Sequence, residues 1–237
     1  MPIFQKTKRV FLDYASTTPV DRGVVKSMRP FLSRNFHNAS ALYKEGVEVK
    51  KVIERARQTV ATLTQSKPGE VIFTASGTES DNLGIIGVVR SLREKVTGAP
   101  HIITTNIEHV AVLEACKQLE KEGVEVTYLP VNENGVVTSE QVKKELKSNT
   151  VLVSVMLANN EIGTVLPVRQ IGVEIDRFKK EEGRISADFP YLHTDASQAP
   201  NYLNINIDAL NADLMTLDGS KIYGPKGVGC LIKKSHV

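Results

Sequence analysis

Cysteine is scarce: two residues, Cys116 and Cys230, in 237. A pair cannot form the multi-bridge framework of a small secreted domain. Long apolar runs are missing too, so no stretch reaches the roughly 20 residues that span a bilayer. Neither sign of charge dominates, since 30 basic residues face 27 acidic ones for a formal +3. That balance argues against a nucleic-acid or membrane-surface protein, in which basic side chains gather in blocks. The start, Met1 to Arg9, has no apolar signal core. Cytoplasmic residence is the expectation. Internal repeats, low-complexity tracts and long linkers are also lacking.

What is present is a chain long enough, at 41% hydrophobic residues, to bury a substantial core. Val10 to Ala15 reads as a short strand, followed by a Ser-Thr-Thr-Pro turn and a helix over Asp21 to Leu32. Val49, Val52, Ile53, Ala56, Val60 and Leu63 recur at helical spacing, predicting an amphipathic helix from Val47 to Gln65. From Glu70 onward strands and helices alternate. Strands are predicted at Val71–Thr74, His101–Thr105, Val124–Leu129, Val151–Met156 and Tyr191–Thr194. Helices are predicted between them at Glu79–Arg93, Val110–Glu122, Ser139–Leu146 and Val168–Lys180. Two last strands, Asp213–Leu217 and Val228–Ile232, are joined too briefly for a crossover helix and should be antiparallel. The expected fold is α/β: a mostly parallel seven-stranded sheet with helices on both faces and one antiparallel strand.

Open α/β sheets bind ligands beyond the carboxyl ends of their strands. The polar residues there are the candidates. Ser76 and Glu79 fit a helix-capping pair, and Gly77-Thr78 opens a helix whose free N–H groups can cradle a phosphate. This segment lacks the lysine and glycine spacing of the Walker and dinucleotide fingerprints. His109 follows the next strand, as a stacking ring, a proton carrier or simply a cap. Ala158-Asn159-Asn160-Glu161 follows another, and its buried amides need partners. Asp195 and Gln198 end a third, where a carboxylate can hold a pyridinium proton or merely cap a helix. Lys221 sits in the turn between the last two strands, where desolvation by a neighbouring core would favour the neutral amine. A phosphate cradle, a ring, an amide, a carboxylate and a lysine together form the set that pyridoxal 5′-phosphate chemistry needs.

At these residues the chain resembles the cysteine desulfurases, of the class V aminotransferase group with the type I pyridoxal-phosphate fold. The resemblance is carried by Thr78-Glu79-Ser80-Asp81-Asn82, Glu108-His109, Asn159-Asn160-Glu161-Ile162-Gly163, His193-Thr194-Asp195-Ala196-Ser197-Gln198, Lys221-Ile222-Tyr223-Gly224-Pro225-Lys226-Gly227 and the early Asp13-Tyr14-Ala15-Ser16-Thr17-Thr18-Pro19. It implies Gly77 and Thr78 at the phosphate, His109 on the pyridine ring, Asn160 and Gln198 near the ring hydroxyl, Asp195 at the ring nitrogen and Lys221 as the Schiff-base lysine. Catalysis would then fall to Lys221 and His109. It further implies conversion of L-cysteine to L-alanine, with sulfur passed through an enzyme persulfide to a sulfur-acceptor protein for iron–sulfur or thio-cofactor assembly, by a homodimer.

Two departures stand out. The family's Ser-Gly-His before the lysine is here Asp218-Gly219-Ser220. An aspartate would repel a phosphate unless it points away, although Ser220 could supply a hydroxyl. The family also continues into a smaller C-terminal domain with a substrate-binding arginine and a nucleophilic cysteine. Residues 1–16 are therefore expected to associate with that small domain, residues 17–237 to form the cofactor-binding large domain, and the small domain to be absent. Such a chain would hold the cofactor without completing the cycle. Cys116 and Cys230, on a predicted helix and strand, are not expected to carry the persulfide. The alternatives are a selenocysteine lyase, another class V enzyme, or a silent shortened homologue acting as a scaffold.

Overall fold

A computed structural model describes residues 10–237. Residues 1–9, with the polar start and much of the segment expected to join a small domain, lie outside the described residues. The elements run α1 (Arg22–Met28), α2 (Lys44–Thr64), β1 (Val71–Thr74), α3 (Gly77–Leu92), β2 (His101–Thr105), α4 (Val110–Lys121), β3 (Glu125–Leu129), α5 (Ser139–Glu145), β4 (Thr150–Ser154), α6 (Val168–Glu181), β5 (Tyr191–Asp195), β6 (Leu214–Asp218) and β7 (Gly229–Lys233), with short 3-10 turns between some of them. One expected strand is missing. Residues 10–13 are irregular and residues 14–16 form a turn. Val10, Phe11 and Leu12 are exposed, so an apolar run that no sheet edge receives has no ladder to join.

The seven strands are ordered β1-β7-β6-β5-β4-β2-β3. β7 is antiparallel to both neighbours, β1 and β6, and every other pairing is parallel. The inner strands are buried on both faces, so their side chains divide by parity. Ile102, Leu152, Leu214 and Leu231 pack with Ile85 and Val88 of α3 and Val112 and Leu119 of α4. Their immediate neighbours Ile103, Val153, Met215 and Ile232 pack on the other side with Ala61 of α2, Val142 of α5 and Ile171 of α6. Among the described residues no helix is long and apolar enough to cross a membrane.

This topology aims the ends of β1, β2, β4, β5 and β6 at one edge of the sheet. β7 wedges between β1 and β6, pairing its Gly229 with Thr74 on one side and Asp218 on the other. A side chain at Gly229 would overlap the carbonyl of Ser76. Glycine there is what allows the mouth of α3 to close over the end of β6.

Candidate active site

Gly77, Thr78, Asp81, His109, Asn160, Asp195, Ser197, Gln198, Asp218 and Lys221 line one cavity at that edge, with Met156 and Ala158 as its apolar wall; it encloses about 430 Å³, mouth included. Of the residues given a cofactor or catalytic role from the sequence, all but Ser220 line it. That hydroxyl donates to Asp218 Oδ1 at 2.6 Å, and the Ser220 amide donates to the same oxygen at 2.7 Å.

Each side chain is positioned by local structure. Ser76 caps α3, its Oγ accepting from Glu79 N at 3.1 Å, while Glu79 Oε2 reaches back to Ala75 N at 2.6 Å. The Gly77 amide is left for another acceptor and donates to Asp218 Oδ2 at 3.1 Å. His109 serves as both cap and cavity wall: Nδ1 accepts from Ala111 N at 3.2 Å at the start of α4, which leaves the proton of a neutral ring on Nε2. Of the consecutive amides, Asn159 is consumed by its own turn. Its Nδ2 donates to Ile107 O at 3.0 Å, and its Oδ1 accepts from Glu161 N and Ile162 N. Asn160 is the one that faces the cavity.

Lys221 stands on a one-turn 3-10 helix after β6, half-buried rather than sunk in the core. Its Nζ donates to Ser16 O at 2.6 Å and Ala15 O at 3.1 Å, and Gln198 Nε2 also donates to Ala15 O, at 2.8 Å. The core environment expected for this lysine is thus replaced by two backbone carbonyls. The segment carrying them is strapped down by Thr18, whose N and Oγ1 both donate to Ser220 O and whose Oγ1 accepts from Tyr223 N. On the far side of Lys221 opens a wider cleft of about 810 Å³, bordered by Tyr14, Val165 and Tyr202.

The cavity floor is acidic. Asp195 Oδ1 accepts from Ser197 N at 2.9 Å, yet burial raises its pKa, opposed by that hydrogen bond. Asp81 is 1% exposed, and its Oδ1 has no hydrogen-bond partner among the described residues. Burial first, then the charge of Asp195, pushes its carboxyl well above the usual range. Glu108 Oε1 accepts from Met156 N and Thr105 Oγ1, its Oε2 is unpartnered, and burial lifts it to about 8. His193 Nε2 lies 3.6 Å from Asp81 Oδ1, but burial lowers this imidazole to about 3, so the approach is not an ion pair. Asp81 and Glu108 were not singled out from sequence. The signal for Asp81 was available, since Gly77, Ser80, Asp81, Gly84, Ile85, Val88 and Leu92 mark the buried face of α3 at helical spacing.

Pyridoxal 5′-phosphate can be set against these residues by chemistry alone. Its ring end fits: a cationic ring nitrogen would give the crowded carboxylates the partner they lack, and a lysine amine stands beside them. The helix opening supplies a phosphate-seeking N–H, although Asp218 holds it. Cys116 and Cys230 stand apart from the cavity lining, buried, with thiols raised by burial to about 12 in each case. Neither is a nucleophile near neutral pH.

A family model described as Aminotransferase class-V matches residues 10–237. A protein from Dictyoglomus turgidum named Cysteine desulfurase IscS is 44% identical over 224 residues, covering 94% of this chain and 54% of that protein. Cysteine desulfurase, mitosomal, from Encephalitozoon cuniculi is 45% identical over 225 residues, covering 94% of this chain and 50% of its own length. Among solved structures, one described as a NifS-like protein superposes with a TM-score of 0.89 at 36% identity, covering 97% of this chain and 60% of that one. Another, SspA in complex with cysteine, gives 0.84 at 38% identity, with 93% and 60% coverage. The chain spans about half the length of the curated relatives it matches.

Proposed function

The chain belongs to the class-V aminotransferase family, and on that premise we propose that it forms the cofactor-binding part of a cysteine desulfurase that uses pyridoxal 5′-phosphate to convert L-cysteine to L-alanine. The observation that carries this reading is the convergence of Lys221, Asp195, His109 and the opening of α3 on one cavity. The proposed cofactor-binding large domain is residues 17–237.

When bound, the cofactor supplies an electron sink for charge developing at the substrate carbon. The chain's residues do the rest. Lys221 Nζ would hold the cofactor through its aldehyde carbon, with loss of water, and would carry a proton to and from the substrate. The lone pair this needs belongs to the neutral amine, whose two N–H groups can still serve Ala15 O and Ser16 O. Asp195 holds the proton on the ring nitrogen, a cationic partner reversing the burial effect on its carboxyl. His109 covers the ring, its orientation fixed by the cap to Ala111 N. Asn160 and Gln198 address the ring hydroxyl, and Gly77 and Thr78 the phosphate. Neither Cys116 nor Cys230 is assigned as the sulfur-accepting thiol. The persulfide step, the sulfur-acceptor protein and homodimerisation are proposed for the longer protein.

The test is incubation with pyridoxal phosphate, then with L-cysteine or L-selenocysteine, following absorbance and alanine release. A visible band that borohydride bleaches and L-cysteine perturbs supports the reading, and preference for selenocysteine would redirect it to the lyase alternative. Absence of any band at saturating cofactor would favour a silent scaffold, the reading that Asp218 in the cradle recommends.

A further inference from the structure

The inference here rests on the pyridoxal phosphate reading of the cavity and concerns its anion end. We propose that Asp218 is a resident anion in the phosphate cradle, so that this chain must displace its own carboxylate to take a phosphorylated cofactor and gains little affinity from the phosphate. The carboxylate already draws the hydrogen bonds an incoming oxyanion would seek. Its Oδ2 accepts from Gly77 N at 3.1 Å, at the positive end of the 16-residue helix α3, and its Oδ1 accepts from Ser220 N and Ser220 Oγ.

Space is as limiting as charge. A methyl group built on Gly77 would meet Asp218 Cβ, Asp218 Oδ2 and Ser197 Oγ, each at 3.1 Å. The Asp218 side chain therefore packs directly against the opening of α3, where a phosphate on the Gly77 amide would sit. The charge is also felt across the cavity: burial is the main cause that raises the carboxyls of Asp81 and Asp195, and Asp218 adds a smaller push to both. Asp81, 1% exposed with an unpartnered Oδ1 in the same cavity, cannot absorb a further anion. A phosphate dianion beside Asp218 meets like-charge repulsion at short range in a site partly shielded from water. An unphosphorylated aldehyde meets none.

Equilibrium dialysis of pyridoxal 5′-phosphate and of pyridoxal against the chain, Asp218→Ser and Asp218→Asn at one pH and ionic strength tests this. The expected result is a pyridoxal-to-phosphate Kd ratio that rises at least tenfold in both variants, through tighter phosphate-ester binding. Asn keeps the volume and removes the charge, and an unchanged pyridoxal Kd shows that the variants are folded. If the parent chain binds both aldehydes and the ratio stays within twofold, or if either variant binds pyridoxal phosphate more weakly, the resident-anion assignment is overturned while the cofactor reading stands. If neither aldehyde binds any of the three proteins, the cofactor reading fails, and the assignment with it.

Discussion

Glu108 is buried behind the cavity wall, one carboxylate oxygen accepting two hydrogen bonds and the other with no partner among the described residues. Its carboxyl, ordinarily near 4.5, is pushed up to about 8 by burial. Below pH 4.5 the folded and unfolded chains both carry the proton, so the stability tied to it is fully present. As pH rises to 8 the unfolded chain ionises first and that stability is lost, at no more than about 1.4 kcal/mol per pH unit. Glu108→Gln keeps an acceptor for Met156 N and Thr105 Oγ1 and removes the ionisation. It should flatten the decline in urea-melt stability between pH 5 and 7.5 and leave the variant more stable at the upper end, on the order of 1–3 kcal/mol. An unchanged slope would show that Glu108 ionises freely. Such residues were hard to read from the chain. Glu108 looks like an ordinary helix-start acid that only the packing of α4 on the sheet turns inward, whereas Asp81 falls on the buried stripe of α3. Asp218 was visible as a departure, but which way its carboxylate points depends on β7, which comes later in the chain.

At the level of elements, strand β7 sets the shape of the anion end. Gly229 lies between Thr74 and Asp218 in the sheet, and a Cβ there would stand 2.7 Å from Thr74 Oγ1 and overlap the Ser76 carbonyl. Gly229→Ala should cost about 1–3 kcal/mol by overpacking and push the opening of α3 away from Asp218. Chemical denaturation would report the first effect and weakened cofactor binding the second. A variant that matched the parent in both would refute this role for Gly229. Most elements were readable because inner strands need continuous apolar runs and helices need their 3.6-residue stripe. β1 and β2 fall at the predicted bounds, and the other strands within two residues of theirs. The insertion of β7 between β1 and β6 was not readable, because strand order is decided by pairing across the sheet. Val10 to Ala15 misled for the same reason: local composition resembles a strand, but no edge pairs with it.

Across the whole molecule, parallel strands bring loops far apart in sequence to one edge, so that Gly77, His109, Asn160, Asp195 and Lys221 meet in one cavity. A ligand bound there ties the loops together, and cofactor at 100 times its Kd should raise unfolding free energy by about 2.7 kcal/mol. A thermal melt would register this as an upward shift of several degrees; no shift would mean that the cavity does not take this ligand when folded. Lys221 is the proposed covalent anchor. The most direct test is borohydride trapping of pyridoxal phosphate on the chain, followed by proteolysis and mass spectrometry of the labelled peptides. Label should concentrate on the peptide containing Lys221 and be lost in Lys221→Ala. Label spread evenly over surface lysines, or retained in Lys221→Ala, would contradict it.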